Sequence, residues 1–456
     1  MTAAIYRPPA PIPLVDRPHT LSLLLSLWRN PLTICGKQHF TEPLLASKTP
    51  IGHISVVSAP EGIHHVLIAH PENYPKDARQ LRILQPGLRT GLLTASGETW
   101  KIARRTLAPL FSPRVVEAQA NAMLACSQKM AKRLSHRTGG GPVDVSAELA
   151  RLTFDIISTV LFSNGTQTNS VEFSSALTRY FESQGRIDPL DAVGAPDWIP
   201  RLGLWRAQPA IKYFERLVSD IVAHRRSLMD AGEAPDDLLT LLLQARDPQT
   251  SKGLSDSDIA GSIITFIGAG HETTANAIGW ALFLLAKHPE ILAAVEAEID
   301  ACNSQQIGQW PSELPLTKAV INEAMRLYPP APIMSRVALR ADEILGQKIP
   351  KGSTVIIAPY IVHRHKLLWQ DPDYFQPSRF MPGAFEKIPA YAFLPFGAGP
   401  RICIGQAFSQ LEAVIILATL LRSLRFVMPK DESVFPVHHV TLRPTPRLRM
   451  NITKRT

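Results

Sequence analysis

Cysteine is scarce in this chain of 456 residues: there are four, at 35, 126, 302 and 403, without the paired spacing of zinc or redox motifs. That scatter argues against a disulfide framework and suits a reducing, cytoplasmic setting. Runs of Lys or Arg are missing too. The excess of 48 basic over 39 acidic residues, a formal charge of +9, therefore comes without a nucleic-acid motif. It fits a basic docking face for an acidic protein better. No Gly-x-Ser-x-Gly elbow occurs, which removes one large class of hydrolases. No long apolar run marks the N-terminal region. Leu21-Ser22-Leu23-Leu24-Leu25-Ser26-Leu27-Trp28 falls well short of the ~20 residues that span a bilayer, and it lacks the layout of a secretion signal. No transmembrane anchor is expected.

Linkers and internal repeats are also lacking. Thr138-Gly139-Gly140-Gly141-Pro142 reads as a turn between helical segments. A hydrophobic content of 45% is ample for one large core. The expectation is an extended Pro-rich segment over 1–20, where Pro8, Pro9, Pro11, Pro13 and Pro18 forbid a helix, followed by one domain over 21–456. Helical periodicity dominates from Glu98 to about Cys302. Short β-like runs lie at 53–57 and 353–357, and a β-like tail closes the chain. The fold class is therefore mainly α with a smaller β portion (α+β). Its longest helix is predicted over Asp256–Ala286, opened by a Ser255-x-x-Asp258 capping box and stopped by Lys287-His288-Pro289. Further helices are predicted over 290–302, 316–327 and 403–424. The middle of the long helix, Gly268-Ala269-Gly270-His271-Glu272-Thr273-Thr274-Ala275-Asn276, is a polar belt that argues against a membrane span.

Among the cysteines, Cys403 has a distinctive setting: Phe396-Gly397-Ala398-Gly399-Pro400-Arg401-Ile402-Cys403-Ile404-Gly405, just before an apolar helical run. A helix N-terminus favours a thiolate. The glycines remove bulk where a flat group would lie against backbone, and Arg401 adds a cation. Such a site suits a thiolate bound to a planar metal cofactor, and haem iron is the known case.

The segment resembles the Phe-x-x-Gly-x-Arg-x-Cys-x-Gly signature of the cytochrome P-450 family of haem-thiolate monooxygenases, with Phe396, Gly399, Arg401, Cys403 and Gly405 in the five fixed places. The resemblance runs from about Trp100 to the end. It implies a single domain with a long central helix over haem b (iron protoporphyrin IX), Cys403 as the axial iron ligand, and O2 as co-substrate. The block Ala269-Gly270-x-Glu272-Thr273-Thr274 is similar to the family's oxygen-activation motif. That likeness places Ala269 and Gly270 against the cofactor and makes Thr273 and Glu272 the catalytic pair, handling O2 and gating protons. Glu323-x-x-Arg326 and Phe375-x-Pro377-x-Arg379-Phe380 match the elements whose charges, here Glu323, Arg326 and Arg379, form a buried structural network. Trp100-x-x-x-Arg104 matches the pair that reaches a haem propionate; Arg336 and Arg401 match further propionate contacts.

By the same resemblance the chain is a monomer that takes electrons from NAD(P)H through a separate ferredoxin or flavodoxin with its reductase. Lys101 and Arg105 are candidates for the docking face. The family layout puts the substrate pocket at Ile83, Leu84, Phe266, Ile267, Ile333, Met334 and Phe435, mostly apolar side chains that suit a lipophilic small molecule. Two other readings stay open on sequence: a haem-thiolate enzyme driven by peroxide, and a non-catalytic haem-binding protein. Relatives of the first kind typically lose the acid–threonine pair that Glu272-Thr273 retains.

Overall fold

The structure, a computed structural model, describes residues 6–15, 20–49, 52–163, 170–184 and 202–455, with 190 and 199. The helices that position the site are α1 (Thr20–Arg29), α2 (Ala78–Leu88), α3 (Gly97–Leu107), α4 (Ala120–Ser135), α5 (Val145–Phe162), α6 (Ser170–Gln184), α7 (Leu202–Asp230), α8 (Asp256–Ala286), α9 (Pro289–Ala301), α10 (Pro315–Leu327) and α11 (Gln406–Ser423). Strands β1 (Leu44–Thr49), β2 (Gly52–Val57), β3 (Met334–Val337) and β4 (Thr354–Ile357) make one sheet in the order β1-β2-β4-β3. A separate hairpin joins β5 (Phe435–His438) to β6 (Leu442–Thr445).

The long helix has the bounds its sequence implies. The Ser255 hydroxyl accepts the Asp258 N–H at 3.2 Å and donates to the Asp258 carboxylate at 2.6 Å, closing the N-terminal cap. Pro289 opens the next helix rather than extending this one. At 1.5 Å per residue α8 is about 46 Å long and crosses the domain. It packs on α5, α7, α10 and α11, so its apolar circumference is core. Among the described residues no single helix is long and apolar enough to cross a membrane; α8 and α9 together would be, but they are bent by 116°.

The other predicted elements form with small shifts. The helix after Cys403 starts at Gln406 rather than at the cysteine, because Gly405 is a non-helical N-cap. The Leu21–Trp28 run lies in α1 with Leu25 and Trp28 exposed. Residues 6–13 are without helix, and Tyr328 Oη donates to Pro9 O at 2.9 Å.

Candidate active site

Two segments carry exposed residues in an otherwise buried setting. One is the middle of α8, where Ala269 is exposed although its helix neighbours are largely buried. The other is the turn before α11, where Cys403 is exposed within surroundings that otherwise enclose it. Its backbone N–H donates to Phe396 O at 2.9 Å, which closes the loop. Gly399, at φ +75°, runs so close to the preceding fold that a Cβ would sit 2.1 Å from Leu67 O. Burial pushes the Cys403 thiol up, while the Gly405 N–H and the Arg104 charge pull it down.

Around this loop gathers a set of cations. Arg401 stacks on the Trp100 ring, 4.2 Å from its centroid, and donates to Ala95 O at 3.1 Å. Arg104 lies close enough to Cys403 to feel its charge. Arg336 is buried in β3 and donates to Ser335 O at 2.9 Å; burial and Arg401 push its guanidinium down to about 10. Lys76, bridged to Arg336 through the backbone, donates to Leu93 O. Burial, then Arg401 and Arg336, push its amine down to about 7. Among the described residues no carboxylate pairs with any of these four side chains. A buried charge without a counter-charge is costly, so the cluster fits a group that brings its own carboxylates. Together with the thiol, that donor set suits haem.

The polar belt of α8 divides its tasks. Thr273 Oγ1 donates to Ala269 O at 2.6 Å, the back-bond open to a helical threonine. Glu272 turns toward the C-terminal hairpin. Burial pushes its carboxyl up, opposed by Arg443 and by hydrogen bonds from Thr441 and Asn276. The missing side chain of Gly270 admits Ile157 of α5, whose Cδ1 would lie 2.8 Å from a Cβ there, while the neighbouring Ala269 is exposed.

The expected pocket wall is brought together only in part. Met334 Sδ lies 3.5 Å from where a Gly397 Cβ would be, beside the cysteine loop. Ile333 and Leu84 are half-buried against the core. Ile267 turns the other way, into an apolar hollow lined by Phe154, Ile157, Phe162 and Leu217. Phe266 packs edge-on against Phe111, centroids 5.1 Å apart. Phe435 stays 39% exposed on its hairpin. The side chain of Ile83 lies outside the described residues. Of the docking candidates, Lys101 is exposed, whereas Arg105 is committed to a two-point pair with the buried Asp247 at 2.8 and 3.0 Å.

Glu323, Arg326 and Arg379 do meet. Arg326 Nε donates to Glu323 at 2.6 Å, and Arg379 stands 3.7 Å from the same carboxylate. Arg326 also donates to the carbonyls of His363, Pro372 and Tyr374, holding the coil that leads to the cysteine.

Two residues escape a motif-based reading. Lys76 sits in a loop with no signature, one residue before the Asp77 cap of α2. Glu412 is fully buried on α11 and pushed up to about 8 by desolvation, near the Thr274–Ser409 hydroxyl pair. A lone carboxylate within the apolar run 411–421 was the signal available for it.

The sequence profile of the family described as "Cytochrome P450" matches residues 29–451. Pentalenene oxygenase from Streptomyces avermitilis is 30% identical over 370 residues, covering 80% of each chain. Cyclooctat-9-en-7-ol 5-monooxygenase from Streptomyces melanosporofaciens is 29% identical over 421 residues, covering 90% of this chain and 87% of that one. The crystal structure of a cytochrome P450 (CYP102L1) superposes with a TM-score of 0.82 at 27% identity, covering 99% of this chain and 100% of the other.

Proposed function

The chain belongs to the cytochrome P450 family, and we propose that it inserts one oxygen atom of O2 into a lipophilic small molecule. Electrons come from NAD(P)H through a ferredoxin or flavodoxin and its reductase. The observation that carries this reading is the cluster of buried and half-buried cations around the Cys403 loop, which has no carboxylate partner among the described residues. Haem bound there supplies the oxidising chemistry, because a Cys thiolate donates electron density that favours O–O cleavage.

The chain's own residues bind, orient and move protons. Cys403 is the iron ligand, its sulfur held by the Gly405 N–H and the Arg104 charge. Arg104, Arg336, Arg401 and Trp100 hold the propionates, joined by Lys76. Phe396 and Gly399 shape the loop that would hold the cofactor, and the small Ala269 side chain would leave room for it. Thr273 holds a proton at Oγ1, donated to the Ala269 carbonyl, and would offer it to the reaction on turning away. Glu272, its carboxyl pushed up by burial and facing Thr441 and Arg443, is the residue that relays protons. The substrate class rests on half-buried apolar side chains such as Leu84, Ile333 and Met334 and on relatives named for oxygenation of pentalenene and of cyclooctat-9-en-7-ol.

The test is a spectral screen of the purified protein against lipophilic compounds, followed by turnover of each hit under isotopically labelled O2 with ferredoxin, reductase and NAD(P)H. One labelled oxygen atom per product is expected. Turnover with hydrogen peroxide alone, and none with the reductase chain, would reverse the proposal.

A further inference from the structure

Helices α2 and α6 meet above the polar belt of α8. A Cβ built on Gly268 would lie 3.9 Å from both Leu88 Cδ2 of α2 and Leu177 Cδ1 of α6. Gly268 directly precedes Ala269, so the seam between α2 and α6 lies against the middle of α8. The loop after α2 is fixed by backbone: Gly91 and Gly261 of α8 cross so closely that a Cβ on Gly91 would be 2.2 Å from Gly261 O. A side chain of α6 holds the last turns of α2. Tyr180 is fully buried; its hydroxyl accepts the Gly87 N–H at 2.9 Å and donates to Leu84 O at 3.2 Å. Its ring fills the notch left by Gly87, where a Cβ would sit 2.5 Å from Cζ.

Between the two bonded residues stands Pro86. Proline has no N–H, so the ladder of α2 loses one bond at this turn, although the Arg89 N–H still donates to Gln85 O at 2.8 Å. The phenol supplies the missing tie from outside. Arg89, just beyond α2, also pairs with Glu215 of α7, but both are about 40% exposed (40% and 41%), and such surface pairs contribute little.

We propose that Tyr180 is a positioning residue for substrate selection: its hydroxyl latches α2 to α6 and so governs how readily a bulky molecule enters or leaves the space above Cys403. This rests on the monooxygenase reading. Tyr180→Phe keeps the ring and removes both hydrogen bonds. In the haem-loaded protein, hydrogen exchange over residues 78–88 should then speed up about tenfold, the loss expected for one to two buried hydrogen bonds. Binding and release of 4-phenylimidazole, followed by its spectral change, should accelerate by a similar factor. Carbon monoxide, which is small, should bind at the wild-type rate. Gly87→Ala, which drives a methyl group into the Tyr180 ring, should act in the same direction. Unchanged exchange and unchanged phenylimidazole rates in Tyr180→Phe overturn the latch, and so does an equal acceleration for carbon monoxide. A wild-type protein that takes up no haem would instead sink the monooxygenase reading, while the exchange comparison would still decide the latch.

Discussion

Two charge clusters in this molecule, one buried and one partly so, obey opposite rules. In the first, the Glu323 carboxylate accepts from Arg326 at 2.6 and 2.8 Å and from the Gln376 N–H at 2.8 Å, and the rest of the Arg326 fork is spent on three carbonyls. The protein completes that cluster from its own residues. In the second, Lys76, Arg104, Arg336 and Arg401 come together with carbonyl oxygens for three of them and, among the described residues, no acid at all. The contrast separates scaffold from site. A network whose cations share a carboxylate of the chain needs nothing further, whereas one with no carboxylate fits an anion brought from outside.

Breaking the cluster that has its own carboxylate should cost most. Glu323→Gln leaves Arg326 buried without a counter-charge, and a loss of about 3–5 kcal/mol is expected, read from the midpoint of denaturant unfolding. A loss under about 1 kcal/mol would remove the network from its structural role. Next comes Arg336→Met in the unbalanced cluster. There the haem-free chain should keep or gain stability, while haem release to a scavenger protein should accelerate about tenfold to a hundredfold, the loss of a charge-assisted bond. Equal haem release in variant and wild type would mean that Arg336 holds no propionate.

The third contrast is with pH. Lys76 is pushed down to about 7, while in the unfolded chain its proton is held to about 10.4. Between those values the unfolded state binds more protons, so stability of the haem-free protein should rise with pH, by at most about 1.4 kcal/mol per unit, and level off below pH 7. Haem should flatten that slope by supplying a carboxylate. Lys76→Met should flatten it too; a slope that persists in the variant belongs to other groups. The smallest stability effect is expected for Thr273→Ala, which removes a bond to its own helix. Unfolding should shift by no more than about 0.5 kcal/mol, yet reductant should be diverted from product to peroxide. Full coupling in that variant would take Thr273 out of the proton path.

Much of this comparison was legible in the sequence, and the reason is local. The bounds of α8 follow from Ser255, Asp258 and Pro289, which act within one helical turn. The loop around Cys403 is carried by glycines whose backbone demands show at their own positions, as Gly399 does at φ +75°. What stayed hidden depends on residues far apart in the chain. Lys76 joins the cation cluster because strand β3 brings Arg336 beside it. Arg105 is withdrawn from the surface by Asp247. Gly270 and Ile267 face α5 because of how two helices are rotated against each other, and a family motif carries no such rotation. Tyr180 announces nothing until α6 is laid across Gly87.

All of this depends on the Cys403 sulfur binding haem iron as a thiolate. The direct measurement is the absorption spectrum of the reduced, carbon-monoxide-bound protein beside that of Cys403→Ser. The account predicts the long-wavelength band of a thiolate-ligated carbonyl in the wild type and its loss in the variant. A wild-type protein that shows the shorter-wavelength band of a neutral ligand while still active, or an identical band in Cys403→Ser, would contradict it.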